Sequence, residues 1–580
     1  MRAYSLKPWL LVDSVYQLLL PSKIPRAHNI PKGMTRNKRI SMNIKTDYLS
    51  LSGDTEDIQI LQNDHNLAEL ALQFPNVNSL LIPKKTEYNL RKYVPKGMLR
   101  AIDSDVNVAV EKCLVFLSNL CSTYYTDDKW KSLNATILHQ QTKSKDNTYI
   151  YTRIIDVLKH GTSKGAFIEV NDSYLEREYC KKYRLTDMYL KAGLVEYAIK
   201  DAGIVLNQNR LFYEQLNEAM EHPICSNLVK MYPKIELPTS KELLVIGKRL
   251  AKDGHRTKKG KTLTMRNNHI NDYWKDSDNR SFVEDNIKLF EFLTNRGFMI
   301  PSVGDDKSGG RVVDSFTLMP AWIREQITVN GIKLAECDYT ALHPNIAIKI
   351  YDGKLTYLTH QNVAERTGID VKSIKIEHLS FFNKQWLAML KSPLFAFYSK
   401  HEADMLSRIY NDKKEHGHKV TSAKMFSVEV AVMTDVIKHL NTTGINVLYV
   451  YDALLCEAKD KAIVVETMNR IILEHGVYTC VKVDGALPLD STEPLAPSQT
   501  VELPKFGLDE VVNLYEVLPM LSYNADDTMT IIYDIDYSKI TMNELVKYIA
   551  KQAQEQKYND FNGVRITQQV IKILKSIVKY

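Results

Sequence analysis

Two aspartates interrupt apolar runs in this chain. Asp338 lies inside "GIKLAECDYTALHPNIAIKIYDG" (331–353) and Asp452 inside "TGINVLYVYDALLCEA" (443–458). A carboxylate buried at the end of a core strand costs several kcal/mol unless a partner compensates for it. In the second run a turn at Gly444 leads into apolar residues, then the acid, then more apolar residues, which predicts a β-hairpin with Asp452 at or near its tip. Two such acids brought together either raise a pKa or hold a cation between them. No His or Cys cluster flanks them, so the donors are mainly oxygen, a set that selects Mg2+ or Mn2+ over Zn2+. Joined by arginines and lysines from other elements, the pair is what two-metal phosphoryl transfer requires. One ion lowers the pKa of an attacking hydroxyl and the second neutralises a leaving pyrophosphate. Taken singly, each aspartate reads equally well as the polar end of its strand.

Cations are available at several places. Gly309 and Gly310 deliver Arg311, and the amphipathic stretch that follows delivers Arg324, both ahead of the Asp338 strand. In "NKQWLAMLKSPLFAFYSK" the residues Lys384, Lys391 and Tyr398 are spaced seven apart and fall near one helical face. That face suits a triphosphate, although a Lys/Tyr stripe is also ordinary amphipathic helix and Pro393 is expected to kink it. The run 247–266 carries eight Lys and Arg against Asp253. Within it Lys258, Lys259 and Lys261 form a glycine-flanked loop, fit either to track a nucleic-acid backbone or simply to be solvated. Aromatics interleaved with Lys181, Lys182 and Arg184 add a second candidate contact, through base stacking.

The order "GGR", "MP", "IREQI" and then the Asp338 segment resembles the run in family A DNA polymerases from a TGR motif into motif A. The hairpin "LYVYDALLCE" resembles motif C, and "SAKMFSVEVAVMTDVIKHLNTTGI" is similar to the long helix before it. The likeness spans about residues 310–490 and extends to the related single-subunit phage RNA polymerases. It implies that Asp338 and Asp452 are the catalytic, metal-binding aspartates of a two-ion Mg2+ or Mn2+ site, with the carbonyl of Tyr339 also touching metal. It implies nucleoside triphosphates as substrates, with His343 at the nucleotide; the family's fingers Lys and Tyr, four and twelve residues after an Arg, are not reproduced, and Lys384, Lys391 and Tyr398 are the candidates in their place. It further implies a DNA primer-template, with RNA an alternative, met by Arg311; Arg324, Tyr451 and, from the basic run, Lys258, Lys259 and Lys261 are further candidate contacts to it. The departures are specific. His343 stands where the DNA polymerases carry a glutamate that helps exclude a 2′-hydroxyl, and Tyr451 and Ala453 replace the histidine and acid of motif C.

The elements that position these residues follow from length and pattern. At 580 residues, 44% hydrophobic and 25% charged, the chain is expected to divide into several globular domains. The expected divisions are an N-terminal region 1–145, basic at its start; a small α/β module 146–245; a basic loop region 246–280; palm and fingers 281–490; and a helical extension 491–580. The expected fold is α/β: a polymerase palm with an antiparallel sheet, reduced helical fingers at about 360–425, and mainly helical N- and C-terminal regions. Seven cysteines without CxxC or zinc spacing suit a reducing, cytoplasmic setting in a bacterial or phage-infected cell. Residues 1–45 carry nine Lys and Arg against Asp13, like a transit peptide, but their prolines spoil an amphipathic helix. No apolar stretch is long enough to span a bilayer. The functional expectation is template-directed nucleotide addition without an editing exonuclease, in replication of a phage, plasmid or mobile element. RNA or primer synthesis, and an inactive replication-initiation or nucleic-acid-binding protein, are the alternatives.

Overall fold

The computed structural model describes residues 65–143, 149–160, 165–175, 180–257, 260–266, 276, 278–485, 506–512, 540–555 and 578–579. The basic run 1–45, together with Lys258 and Lys259, lies outside the described residues.

The fold mixes helices with small, mostly antiparallel sheets around two hydrophobic cores. The first core gathers residues from Leu80 to Ile204 around the helix Val106–Ser118. That helix is buried on nearly every side, and Asp105 caps it by accepting from the Asn107 amide. The strand Ser79–Pro83, paired with Leu194–Ala198, packs on it together with the helices Ala135–Thr142 and Ile150–His160. A three-stranded antiparallel sheet has Lys182–Leu185 between Lys131–Ser132 and Ile168–Asn171. This core crosses the division expected at residue 145, because one central helix buries residues from both sides of it.

The second core runs from Leu216 to Val481 and takes in Phe74. At its centre β1 (Ala335–Tyr339), β2 (Leu448–Val450), β3 (Ala453–Cys456) and β4 (Val481–Val483) form an antiparallel sheet in the order β2-β3-β1-β4. Alternation along β1 buries Ala335, Cys337 and Tyr339 and leaves Glu336 and Asp338 on the more open face. Three helices support the sheet: α1 (Leu342–Ile350), α2 (Val420–Thr442) and α3 (Lys461–Glu474). Helix α2 packs on both α1 and α3, and α3 packs on β1. Its buried residues, among them Met425, Glu429, Val432, Met433, Val436 and Leu440, recur at three- and four-residue spacing.

Between α1 and α2 lie the helices His360–Thr367, Val371–Phe381, Trp386–Leu390, Pro393–His401 and Ala403–His416. The stretch 384–400 is therefore not one kinked helix. Ser392 accepts from the Leu394 amide and Pro393 takes the first helical position, where its missing N–H costs nothing, so the chain stops and restarts there. In the C-terminal region the helix Met542–Glu555 is described, and most of 491–580 lies outside the described residues. Among the described residues no helix is long and apolar enough to cross a membrane.

The glycine pair before Arg311 has a steric cause. Gly309, at φ 65°, lies against α2, where an added Cβ would stand 2.5 Å from Phe426 Cβ and 2.6 Å from the Ser427 amide nitrogen. Replacing Gly309 with Ala is expected to destabilise the fold by about 2–4 kcal/mol, the sum of left-handed strain and overpacking. A denaturant melt unchanged from wild type would show that this segment does not lie against α2.

Candidate active site

The backbone brings the two aspartates side by side, one on a strand and the other in the loop of the neighbouring hairpin. Asp338 stands opposite Ala453, and the Tyr339 amide donates, at 3.4 Å, to the carbonyl of Asp452. Val450 pairs with Ala453, so Tyr451 and Asp452 are the two-residue loop of the hairpin. Tyr451 sits at φ 59°, a left-handed conformation that costs an L-residue roughly 1–2 kcal/mol. A second such residue, Ala341 at φ 48°, forms the corner between Asp338 and α1. Both acids are partly exposed, and each stands within three residues of a strained turn.

Asp338 has a cationic partner. Lys482, directly opposite it on β4, places its Nζ 2.8 Å from Oδ2. The cost of enclosing this carboxylate is thus offset across the strand by an ammonium group. The Tyr339 side chain points the other way, buried, with its hydroxyl donating to the Met468 carbonyl at 2.8 Å. Among the described residues no group of three or more His, Cys, Asp and Glu side chains is placed to hold a metal ion.

Arg311 is not a surface residue waiting for a phosphate backbone. Its Nε and Nη2 donate to the two oxygens of Glu429 at 2.8 and 2.5 Å, and its guanidinium lies 3.6 Å from the Phe426 ring centre and 4.7 Å from that of Tyr451. His343 joins through Nε2, 2.6 Å from Glu429 Oε2. That ring nitrogen also lies 3.0 Å from Arg311 Nη2. In one tautomer Nε2 donates to the carboxylate and in the other it accepts from the guanidinium, so in both it is engaged within the cluster. Burial alone would push the Glu429 carboxyl up, but the Arg311 charge and the bond from His343 hold it at about 2. The cluster ties both acidic turns to one buried pair: His343 follows Asp338 on α1, and Tyr451 precedes Asp452.

Arg324, Lys384 and Tyr398 are also used within the fold. Arg324 donates Nη1 to the carbonyls of Phe316 and Met319 at 3.1 and 2.5 Å, closing the turn before β1, and burial lowers its pKa. Lys384 pairs with Glu377, which also accepts from the Ser392 hydroxyl. Lys391 is exposed. Tyr398 is fully buried, bonded to His378 Nε2 at 2.9 Å and stacked on Phe381. Lys384, Lys391 and Tyr398 therefore form no common face: Lys384 precedes the helix Trp386–Leu390, Lys391 caps its end, and Tyr398 lies in the next helix. Lys261 stands 3.6 Å from the exposed Asp127.

Three residues of this arrangement were not singled out from the sequence. Glu429 had a readable signal: an acid with Met425, Phe426, Val432 and Met433 at helical spacing must turn into the core. Phe426 looked like any core aromatic. Lys482 gave no local signal, since only strand register sets it opposite Asp338.

No protein-family model matches the chain, and no curated protein matches it. Among solved structures the chain is similar to the POL domain of Pol1 from M. smegmatis in complex with DNA primer-template and dNTP. The TM-score is 0.31 and the identity 10%, covering 48% of this chain and 73% of that one. The functional reading rests instead on the side chains described above.

Glu429 carries a pH prediction. Its folded pKa, about 2, lies below the ordinary 4.5, so its contribution to stability is complete above pH 4.5 and is lost as pH falls towards 2. Removing the acid as Glu429→Ala leaves Arg311 buried without a counter-charge and is expected to cost about 3–5 kcal/mol at neutral pH. Glu429→Gln is expected to be less stable than wild type at pH 7, with the gap narrowing as pH falls below 4.5. Urea melts at several pH values measure this, and a gap independent of pH would remove the ion pair from the account.

Proposed function

We propose that this chain is a template-directed nucleotidyltransferase of the family A DNA polymerase type, with Asp338 and Asp452 as its catalytic aspartates. The observation that carries the reading is their convergence. Two acids distant in sequence stand at the ends of adjacent antiparallel strands, on a partly open site, beside turns held in left-handed conformations. Backbone strain of this kind concentrates at sites where geometry matters more than stability.

The donor set suits a hard divalent cation. Mg2+ keeps several waters and is held by one or two carboxylates plus substrate phosphates, so two aspartates without a third acid meet its needs. Asp338 and Asp452 would hold the ions, and the main-chain carbonyl of Tyr339 is the third candidate donor. When bound, a pair of such ions supplies a lowered pKa for the attacking primer hydroxyl and neutralises the leaving pyrophosphate. The chain itself supplies position. Arg311, through Tyr451 and His343, fixes the two acidic turns, and Lys482 orients the Asp338 carboxylate and adds a positive charge beside the phosphates.

His343 bears on sugar choice. A histidine in place of the glutamate would favour ribonucleotides if its Nε2 met a 2′-hydroxyl, but that nitrogen is engaged with the buried Glu429 and Arg311. Synthesis of DNA is accordingly the reading we prefer to synthesis of RNA.

Primer extension by purified protein, with dNTPs and separately with NTPs, tests both points. Incorporation is expected with dNTPs and Mg2+ and is expected to vanish with EDTA. Asp338→Asn and Asp452→Asn should each lower it by about a thousandfold or more. Asp338→Asn should also cost on the order of 1 kcal/mol of stability, because it breaks the pair with Lys482. Extension retained by either variant would sink the assignment.

A further inference from the structure

The first core carries a patch that nucleotidyl transfer leaves unexplained. Tyr149 precedes the helix Ile150–His160 and is 64% exposed; Tyr174 follows the strand Ile168–Asn171 and is 61% exposed. The His139 ring covers one face of Tyr149, with centroids 4.6 Å apart and planes tilted by 33°. Tyr151 meets the edge of Tyr149 at 6.1 Å. Across the patch the Lys181 ammonium sits 5.4 Å from the centre of the Tyr174 ring, and Tyr151 is among its electrostatic neighbours. Lys181 and Lys159 share a single acid, Asp172, at 2.9 and 3.1 Å. The result is two tyrosine sites, Tyr149 with Tyr151 and Tyr174 with Lys181, both wide open and joined through the charge of Lys181, which shares Asp172 with Lys159.

A lone exposed tyrosine needs no explanation. Three together, two held by neighbours that limit their rotation, form a preset stacking surface, and the surplus lysine charge matches a phosphate backbone. Bases in a duplex stack on one another and do not offer their faces, whereas unpaired bases do. We propose that the patch formed by Tyr149, Tyr151, Tyr174 and Lys181 binds single-stranded nucleic acid by base stacking. The proposal does not depend on the nucleotidyl-transfer reading.

Fluorescence anisotropy of the full chain with a labelled oligothymidylate tests it. The double variant Tyr149→Ala/Tyr174→Ala is expected to weaken binding by roughly tenfold or more, because base–aromatic stacking dominates such contacts. The double variant Tyr149→Phe/Tyr174→Phe keeps the rings and should bind as wild type does. Photo-crosslinking of wild type to an iodouracil oligonucleotide should label the region 149–181 and needs no variant to fold. Unchanged affinity in the alanine variant overturns the proposal. So does a loss of duplex-hairpin affinity in the alanine variant as large as its loss of single-strand affinity, or crosslinks confined to other parts of the chain.

Discussion

The geometry of the acidic site depends on one buried ion pair, Arg311 with Glu429. Two charges removed from water repay their desolvation only when nearly every donor and acceptor finds a partner. Here the guanidinium spends two donors on the carboxylate and lies against the rings of Phe426 and Tyr451, while His343 adds a third bond to the same carboxylate. Each partner comes from a different part of the chain: the glycine pair, α1, α2 and the β2–β3 loop. A pair that tolerates so little displacement acts as a clamp on all four.

The clamp accounts for two conformations that local preference would not choose. Ala341 and Tyr451 are left-handed without being glycine, and each such residue persists only where its surroundings over-determine it. Tyr451 is held through its ring against Arg311, and Ala341 is buried between β1 and the helix whose His343 bonds to Glu429. Strain and clamp together set where Asp338 and Asp452 stand. Lys482 then supplies the countercharge that Asp338 requires on the sheet face.

The helices between 360 and 416 teach a different lesson. Lys384, Lys391 and Tyr398 share a seven-residue spacing, yet spacing places residues on one face only along an unbroken helix. Ser392 and Pro393 form a cap and a first turn, so the periodicity is reset between Lys391 and Tyr398. Tyr398 then turns inward to His378, whose own pKa is held well below the ordinary value by burial. Its ring serves the core rather than a ligand.

Residue type and short-range period were enough to locate both acids and the hairpin around Asp452. Alternation of apolar and polar residues, and their recurrence every three or four positions, follow from backbone geometry that each segment carries within itself. The glycines before Arg311 were visible for the same reason, though not the wall of α2 that requires them. Tertiary contact alone assigned the partners. That Arg311 faces Glu429 rather than a phosphate, that Lys482 stands opposite Asp338, and that one core joins residues on both sides of 145 are matters of register and packing between distant segments. No local pattern encodes them, because the free energy of burying a charge depends on which groups the fold brings to meet it.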